Sequence, residues 1–302
     1  MMHQILKNKI SDSAYLVNVS RAKSLNISKD IYAHLWIPSD KQQEINKLWD
    51  KYAKTVYPFD DIELGIRTNY FLQILQNQLA EKNDLVFINL GSGFTSYQYL
   101  VSQDIYTIEV DVPDIINEKK IRANKLIKEK ILPKRETQYL TCDFNDTEQR
   151  IKLYKKIIKE LDNSKNTFIL MEGLLYYLPK ETTKKLLHNN SIIQYENSQT
   201  AFDYWKPSIT KSIYYQGMLN FYKDEMKIDA SSIYLFNAIN VIDKNFYTII
   251  ENTKVFKQEK QTKGNLILNK NRNICLEECY IKIQKKASTQ HRFGNMAADV
   301  LL

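Results

Sequence analysis

The sequence contains little glycine, proline, cysteine or histidine: its 302 residues include seven glycines, six prolines, three cysteines and four histidines. The cysteines (Cys142, Cys275 and Cys279) and the scattered histidines match no zinc-ligand spacing and no disulfide framework. We therefore expect no bound metal and a reduced compartment, the cytoplasm. The sequence also has no apolar run of about 18 residues and no apolar signal core at its start, so we expect no membrane partner.

The positive charge is not concentrated in one place, although the formal net charge is +8. Lysines supply most of the excess and are mixed with acidic residues along the whole chain, which is typical of a solvated surface. One basic stretch runs from Lys119 to Arg135, but no aromatic residues that could stack on bases are interleaved with it. We therefore do not expect nucleic acid as a partner.

The first 84 residues show the three-to-four-residue spacing of apolar side chains that indicates helices. Ser39 and Asp40 are predicted to cap one helix, and a second helix is predicted to follow Gly65. Residues 1–84 are therefore expected to form a helical N-terminal part.

From residue 85 the pattern changes to short β-rich runs that alternate with helical segments. Helices are predicted over residues 115–131 and after Asp146, which would cap its helix with Gln149 at the third position. The predicted strands are 86–90, 105–110, 137–140, 167–171 and 200–204. Nearly all-apolar strands in this alternation predict an α/β fold with a mostly parallel sheet and helices on both faces.

The pattern is weaker in the C-terminal part, residues 206–302. A helix is predicted near 214–226, a β-like run near 246–256, and a half-exposed antiparallel strand at 277–283. Because we find no repeat and no linker, we expect residues 1–302 to form a single domain with its sheet core at 85–205.

Glycines and carboxylates follow the predicted strands, at the edge where open parallel sheets bind ligands. They are Gly91 and Gly93 after the first strand, Glu109 and Asp111 after the second, Asp143 with Phe144 after the third, and Glu172 with Gly173 after the fourth. This ordered set predicts a binding site at the carboxyl edge of the sheet.

The chemistry of the set favours a ligand that has a ribose and no phosphate. The dinucleotide fingerprint needs a third glycine, and this chain has Ser96 there. Asp111 and Glu109 lie 18 and 16 residues after Gly93, near the spacing at which a carboxylate accepts the ribose hydroxyls. Asp143 could accept the amine of adenine. A ribose, an adenine and no phosphate describe S-adenosyl-L-methionine.

These stretches also resemble the leucine carboxyl methyltransferase family, which includes the TcmP-type polyketide O-methyltransferases. The resemblance is carried by "INLGSGFTSYQYL", "YTIEVDVPDII", "CDFND" and "FILMEGLLYYLP", in that order, and by "IRTNYF" ahead of the first strand. It implies a class I (Rossmann-like) methyltransferase fold with an N-terminal helical extension, a lid-like insertion after residue 205, and S-adenosylmethionine as cofactor.

The resemblance also implies roles for individual residues. By position, Gly91 and Gly93 would contact the cofactor and Asp111 would hold its ribose. The other implied contacts are Arg67 on the methionine carboxylate, Asp143 and Phe144 at the adenine, and Glu172 near the methionine amine. One departure is present, because the family usually reads Asp-Thr-Arg where this chain has Thr95, Ser96 and Tyr97.

Several functions remain open from the sequence. An NAD-dependent oxidoreductase would explain the glycines and Asp111, but not Asp143 and Glu172. A nucleic-acid methyltransferase or a non-catalytic cofactor-binding protein would keep the same cofactor site. For a methyltransferase we expect a small-molecule acceptor with a carboxylate or a hydroxyl, because residues 204–222 are rich in the aromatic residues that line such pockets. A protein carboxylate is the alternative, and the lack of an evident His–acid pair favours an anionic acceptor.

Overall fold

One seven-stranded sheet forms the centre of the computed structural model. The structure describes residues 2–82, 84–161, 166–227, 233–261, 267–271 and 275–287, with side chains from Ser13 onward. The strands are β1 (Leu85–Leu90), β2 (Tyr106–Asp111), β3 (Thr137–Thr141), β4 (Asn166–Met171), β5 (Gln199–Trp205), β6 (Tyr247–Lys254) and β7 (Glu278–Lys285). Their order is β3-β2-β1-β4-β5-β7-β6, and β7 runs antiparallel to both of its neighbours.

This order confirms the predicted α/β fold with a mostly parallel sheet. Strands β1 to β5 pair in parallel, so their carboxyl ends lie at one edge. The order differs from the 3-2-1-4-5-6 arrangement of the dinucleotide-binding fold, because an antiparallel strand is inserted next to β5. The topology therefore does not support the NAD-dependent alternative.

Eleven α-helices are present in the described part of the chain. They are α1 (Met2–Lys23), α2 (Leu25–Ser28), α3 (Gln42–Thr55), α4 (Asp60–Glu81), α5 (Tyr97–Leu100), α6 (Pro113–Lys128), α7 (Thr147–Glu160), α8 (Lys180–Ile193), α9 (Ile213–Asp224), α10 (Val255–Glu259) and α11 (Ile267–Lys270). Short 3-10 turns lie at Ala33–Trp36, Leu175–Tyr177, Pro207–Lys211 and Ala238–Val241.

The central strand shows why the sheet needs helices on both faces. Alternate side chains of a strand point to opposite faces, and all six residues of β1 are buried. Val86 and Ile88 pack in one apolar cluster with residues of α7 and α8, whereas Phe87 packs in another with residues of α4. The apolar run of β1 is thus explained by two separate cores.

Two details of the N-terminal helices differ from the prediction. Helix α3 begins at Gln42 after Lys41, without a side-chain cap, so the predicted cap at Ser39 and Asp40 is wrong. Gly65 lies inside α4 and does not precede it. A Cβ at this position would be 2.5 Å from the Ser24 hydroxyl oxygen, which explains why the residue is glycine. The glycine permits close packing of α4 against the turn between α1 and α2, which local sequence does not reveal.

In the core, the predicted cap of α7 is confirmed. The Asp146 carboxylate accepts a hydrogen bond from the Gln149 amide nitrogen at 3.1 Å. The prediction of a half-exposed last strand is wrong, because β7 lies between β5 and β6 and its first four residues are buried. The antiparallel direction predicted for it is confirmed.

A buried ion pair connects β2 to α6. The Lys119 ammonium nitrogen lies 2.6 Å from Glu109 Oε1, and both side chains are fully buried. Burial lowers the pKa of Lys119 and raises that of Glu109, and the attraction between the two groups opposes both shifts. Lys119 therefore belongs to the core and is unavailable to nucleic acid.

We predict that Lys119→Met destabilises the protein by about 3–5 kcal/mol, because it leaves the Glu109 carboxylate buried without a partner. The double variant Lys119→Met/Glu109→Gln should recover much of this loss. Urea denaturation measures both, with Lys152→Met as the control, since the Lys152–Glu148 pair is mostly exposed and should contribute below about 1 kcal/mol. An equal cost for Lys119→Met and Lys152→Met would contradict the assignment.

Candidate active site

The turn after β1 has a backbone shape that favours glycine and leaves room above it. Gly91 has φ +71° and Gly93 has φ +45°. A Cβ on Gly91 would lie 3.0 Å from a methyl carbon of Leu174, whereas a Cβ on Gly93 would have no atom within 4 Å among the described residues. The turn is held against β2 by the amide of Gly91, which donates to the Val110 carbonyl at 2.8 Å. The space over Gly93 is open to a ligand.

Asp111 lies directly beside this turn, at the end of β2. Its carboxylate accepts hydrogen bonds of 2.7 Å from the amides of Gly93 and Val112, one on each oxygen. An ionised carboxylate has about four lone-pair sites, so each oxygen keeps one for a further donor. The geometry therefore fits a pair of ribose hydroxyls.

The turn after β3 places Asp143 and Phe144 at the same edge of the sheet. Asp143 is exposed and accepts a hydrogen bond from the Asn145 amide, whereas Phe144 is buried in the core. The Asn145 side chain donates to the carbonyl of Tyr177, in the loop after β4, at 3.4 Å. The turns after β3 and β4 are thus linked across the edge, and the adenine role of Asp143 and Phe144 stays a prediction.

The structure does not bring Glu109 to this opening. The residue is fully buried beneath α6, where Lys119 occupies one of its oxygens. Its spacing after Gly93 suggested a ribose contact, but the strand reaches the sheet edge only two residues later, at Asp111. Glu109 therefore belongs to the packing between β2 and α6.

Glu172, at the end of β4, lies in a buried network of charges. Its Oε1 accepts from Arg21 at 2.7 Å and from Arg67 at 2.9 Å, and its Oε2 accepts from the Tyr97 hydroxyl at 2.7 Å. Burial alone would raise the pKa of Glu172, but the two guanidinium groups outweigh it and hold this pKa below its usual value. Glu172 is therefore a carboxylate at neutral pH.

Arg67 is the centre of the same network. Besides Glu172, its Nη1 lies 3.0 Å from Glu278 and 3.4 Å from Asp203. Its Nη2 faces Gly173, where an added Cβ would lie 3.8 Å away. The structure thus brings the predicted residues Arg67 and Glu172 together, and Nη2 has the position from which it could meet a ligand carboxylate.

A second group of acids lies on the other side of Arg67. The Tyr176 hydroxyl is 2.5 Å from Asp203 Oδ2 and 2.7 Å from Glu278 Oε1, and the amide of Gly173 donates to Asp203 Oδ1 at 2.7 Å. Burial and the neighbouring Glu278 raise the pKa of Asp203 to about 8. The group can therefore hold or release a proton near neutral pH.

Arg67, Tyr176 and Glu278 line a cavity of about 100 Å³. Its walls come from α1, α3, α4, α9, the turn after β4, the end of β5 and the start of β7. Gly173 lies on its wall, so the cavity adjoins the turn that follows the carboxyl end of β4. The aromatic stretch 204–222 contributes in part, because Trp205 and Tyr222 line the cavity while Tyr215 packs behind Trp205 with ring centres 5.8 Å apart.

The three residues that depart from the family pattern all have partners. Thr95 Oγ1 accepts from the Asn89 side chain at 2.8 Å, and Ser96 accepts from the Trp36 indole at 2.8 Å. Tyr97 reaches Glu172, where Arg21 supplies a guanidinium from α1. The altered loop is therefore tied to the core and to the N-terminal helices.

Sequence reasoning missed Arg21, Asp203, Glu278 and Tyr176 as members of the site. Asp203 could have been found, because it is the one acid in β5 and lies near the carboxyl end of the strand. Arg21 and Glu278 gave no local signal, since they reach the site from α1 and β7, far along the chain from Glu172.

We predict that the contribution of Asp203 to the free energy of unfolding falls as the pH rises. Its folded pKa of about 8 lies above the unfolded value of about 4, so its contribution is complete below about pH 4 and is lost as the pH rises through about 8. The free energy of unfolding of the wild type should fall over this window relative to that of Asp203→Asn, which cannot ionise. Urea denaturation at several pH values measures the difference.

The control for this experiment is Asp146→Asn. The hydrogen bonds of its exposed cap lower the pKa of Asp146, so its titration lies below that window. The variant should therefore shift stability equally at every pH between about 5 and 8. Identical pH slopes for the wild type and Asp203→Asn would show that Asp203 titrates normally.

Comparisons with known proteins identify the family and the fold of the chain. A family model described as leucine carboxyl methyltransferase matches residues 7–191. A solved structure from Thermobifida fusca YX, named as a methyltransferase, is 15% identical with a TM-score of 0.59, covering 85% of this chain and 94% of its own. A DUF574 family protein from Streptomyces avermitilis MA-4680 is 12% identical with a TM-score of 0.59, covering 85% and 96%.

Those two structures establish the class I, Rossmann-like fold, and no curated protein matches the sequence. The family model covers more than half of the chain and includes α1, the glycine turn and the edge of β4. The chain therefore belongs to the leucine carboxyl methyltransferase family, and it is an S-adenosylmethionine-dependent methyltransferase.

Proposed function

We propose that the protein transfers the methyl group to a hydroxyl of a small molecule bound in the cavity beside Gly173. The observation that carries this proposal is the Glu278 carboxylate, which lines the cavity and whose Oε2 has no hydrogen-bond partner among the described residues. Its Oε1 is joined through the Tyr176 hydroxyl to Asp203. A carboxylate with one free oxygen, hydrogen-bonded through its other oxygen to Tyr176 and Asp203, can act as a general base.

The residues already described support a place for the cofactor along the sheet edge. The open space over Gly93 and the two remaining lone-pair sites of Asp111 fit the ribose. Phe144 and the exposed Asp143 border the next position along the edge, suited to the adenine. Arg67 Nη2, at Gly173, suits the methionine carboxylate. The methyl donor would then face the cavity.

Bound S-adenosylmethionine supplies a methyl group on a positively charged sulfur, ready for displacement by an oxygen in line with it. Trp205 and Tyr176 stack with ring centres 4.4 Å apart and fix one wall against which an acceptor can be oriented. Glu278 Oε2 takes the hydroxyl proton as the acceptor oxygen becomes nucleophilic. Tyr176 and Asp203 stabilise that proton, because all three groups share hydrogen bonds.

The charge of the cavity supports a hydroxyl over a carboxylate acceptor. Among the described residues that line it, Asp60, Glu63 and Glu278 are acids and Arg67 is the one cation. A carboxylate acceptor would enter beside three acids in a poorly solvated space, which is unfavourable. The sequence favoured an anionic acceptor only because no base was evident, and the Glu278–Tyr176–Asp203 group now provides a candidate.

Macromolecular acceptors have less support. The cavity is small and lies under α1, α3 and α9, so a protein terminus would have to pass these helices. The basic stretch from Lys119 to Arg135 is only partly available to nucleic acid, because some of its cations make internal contacts. Lys119 is buried, and Arg135 donates to the carbonyls of Gln98 and Val101. Among the described residues, no helix is both long and apolar enough to cross a membrane.

We predict that Asp111→Ala weakens binding of S-adenosylhomocysteine by about 1–3 kcal/mol, because hydrogen bonds to a charged group are lost. Adenosine should lose affinity in the same proportion, since the contact is with the ribose. Calorimetry measures both. Asp114→Ala removes an exposed acid three residues later and should bind like the wild type. Unchanged affinity in Asp111→Ala would remove Asp111 from the site.

The acceptor class is tested by methyl transfer from tritiated S-adenosylmethionine into a fractionated cell extract. We expect label in the small-molecule fraction that survives mild base, because methyl ethers are stable where methyl esters hydrolyse. Glu278→Gln should abolish this labelling while still binding S-adenosylhomocysteine. Label found only in protein, as a base-labile ester, would contradict the proposal.

A further inference from the structure

Four buried polar atoms on the wall of the cavity have no hydrogen-bond partner among the described residues. They are Tyr52 Oη, Glu63 Oε1, Trp205 Nε1 and Glu278 Oε2. Leaving such atoms unpaired is costly, and buried polar groups in folded proteins are normally satisfied. On the wall of the cavity, these four atoms are the polar groups that an occupant would meet.

The four atoms specify what that ligand must carry. Trp205 Nε1 can only donate, the two carboxylate oxygens accept, and the Tyr52 hydroxyl can do either. A hydroxyl oxygen could accept from Trp205 and donate to Glu278, as the proposed acceptor requires. This leaves Glu63, whose carboxylate accepts, and Tyr52, whose hydroxyl can accept from the same donor.

The surroundings of Glu63 favour a donor with a positive charge. Glu63 and Asp60 lie one helical turn apart on α4, and both line the cavity, with Glu63 buried and Asp60 partly exposed. Asp60 is held in place by a hydrogen bond of 2.6 Å from the Ser20 hydroxyl. Burial and the charge of Glu278 raise the pKa of Glu63, although Tyr57 and Arg67 oppose this shift. A cation bound beside Glu63 would favour its ionised form.

The walls around these acids are aromatic, which also suits a cation. Tyr52 and Tyr222 line the cavity, and their rings stack with centres 6.5 Å apart. Aromatic faces attract ammonium groups, most strongly where water is excluded. Acids and rings together form a site for an organic cation.

We infer that the acceptor is an amino-hydroxyl compound, whose protonated amine binds Glu63 and Tyr52 while its hydroxyl meets Trp205 and Glu278. This inference rests on the proposed function, because it takes the cavity as the acceptor site. It adds a requirement that hydroxyl methylation alone does not impose.

The test compares three phenols of similar shape by calorimetry on the full chain saturated with S-adenosylhomocysteine. Tyramine carries an ammonium, p-ethylphenol is neutral, and p-hydroxyphenylacetate carries a carboxylate. We expect tyramine to bind at least about tenfold more tightly than p-ethylphenol, through one charge-assisted hydrogen bond, with the acid weakest.

Two variants locate the effect. Glu63→Gln keeps the side-chain shape and should reduce the affinity for tyramine to that for p-ethylphenol, and Tyr52→Phe should reduce it in part. Asp61→Asn is the matched control, because Asp61 is a neighbouring acid on α4 that lies outside the cavity lining, so the preference for tyramine should persist.

Equal binding of the three phenols, no binding of any at millimolar concentration, or a preference that survives Glu63→Gln would each overturn the inference. These outcomes are independent of methyl transfer, since calorimetry measures binding alone. An amine preference without methylation of any hydroxyl would instead contradict the proposed function and leave the cation site standing.

Discussion

The ion-pair network around Arg67 is the interaction on which the rest of the site depends. A guanidinium with 5% of its surface exposed must be paired, because an isolated buried charge is strongly unfavourable. Its partners Glu172, Asp203 and Glu278 come from β4, β5 and β7, which are distant in the sequence. One side chain of α4 thus fixes the N-terminal helices, the parallel sheet and the C-terminal strands relative to one another.

The network contains more acids than cations, and this imbalance connects structure to chemistry. Arg21 and Arg67 suffice to keep Glu172 ionised, whereas Asp203 is left with a raised pKa. The proton that Asp203 retains is shared with Tyr176, next to the free oxygen of Glu278. A scaffold built for stability alone would gain little from such a group, since well-packed apolar residues would serve equally.

The sheet and its binding edge could be predicted from the sequence because their signals are local. Apolar runs marked β1 to β5, and the glycines and Asp111 followed the strands at spacings that chemistry explains. The spacing after Gly93 did not locate Glu109 correctly. An acid at this spacing can face a ligand or, as here, a buried lysine, Lys119.

The cavity beside Gly173 could not be predicted, because it is assembled by long-range contacts. Its walls combine α1, α3, α4 and α9 with the ends of β5 and β7, and no local pattern states that these segments meet. The position of β7 inside the sheet illustrates the same point. Its alternation indicated a half-exposed antiparallel strand, but pairing with β6 as well as β5 buries it.

The central claim is that one sheet edge places the methyl donor at the Gly173 wall of the acid-lined cavity. A crystal structure with S-adenosylhomocysteine tests it most directly. The account predicts ribose hydroxyls on Asp111, the sulfur at Gly173 facing the cavity, and Arg67 still bonded to Glu172. A sulfur that faces away from the cavity, or a ribose that does not touch Asp111, would contradict it.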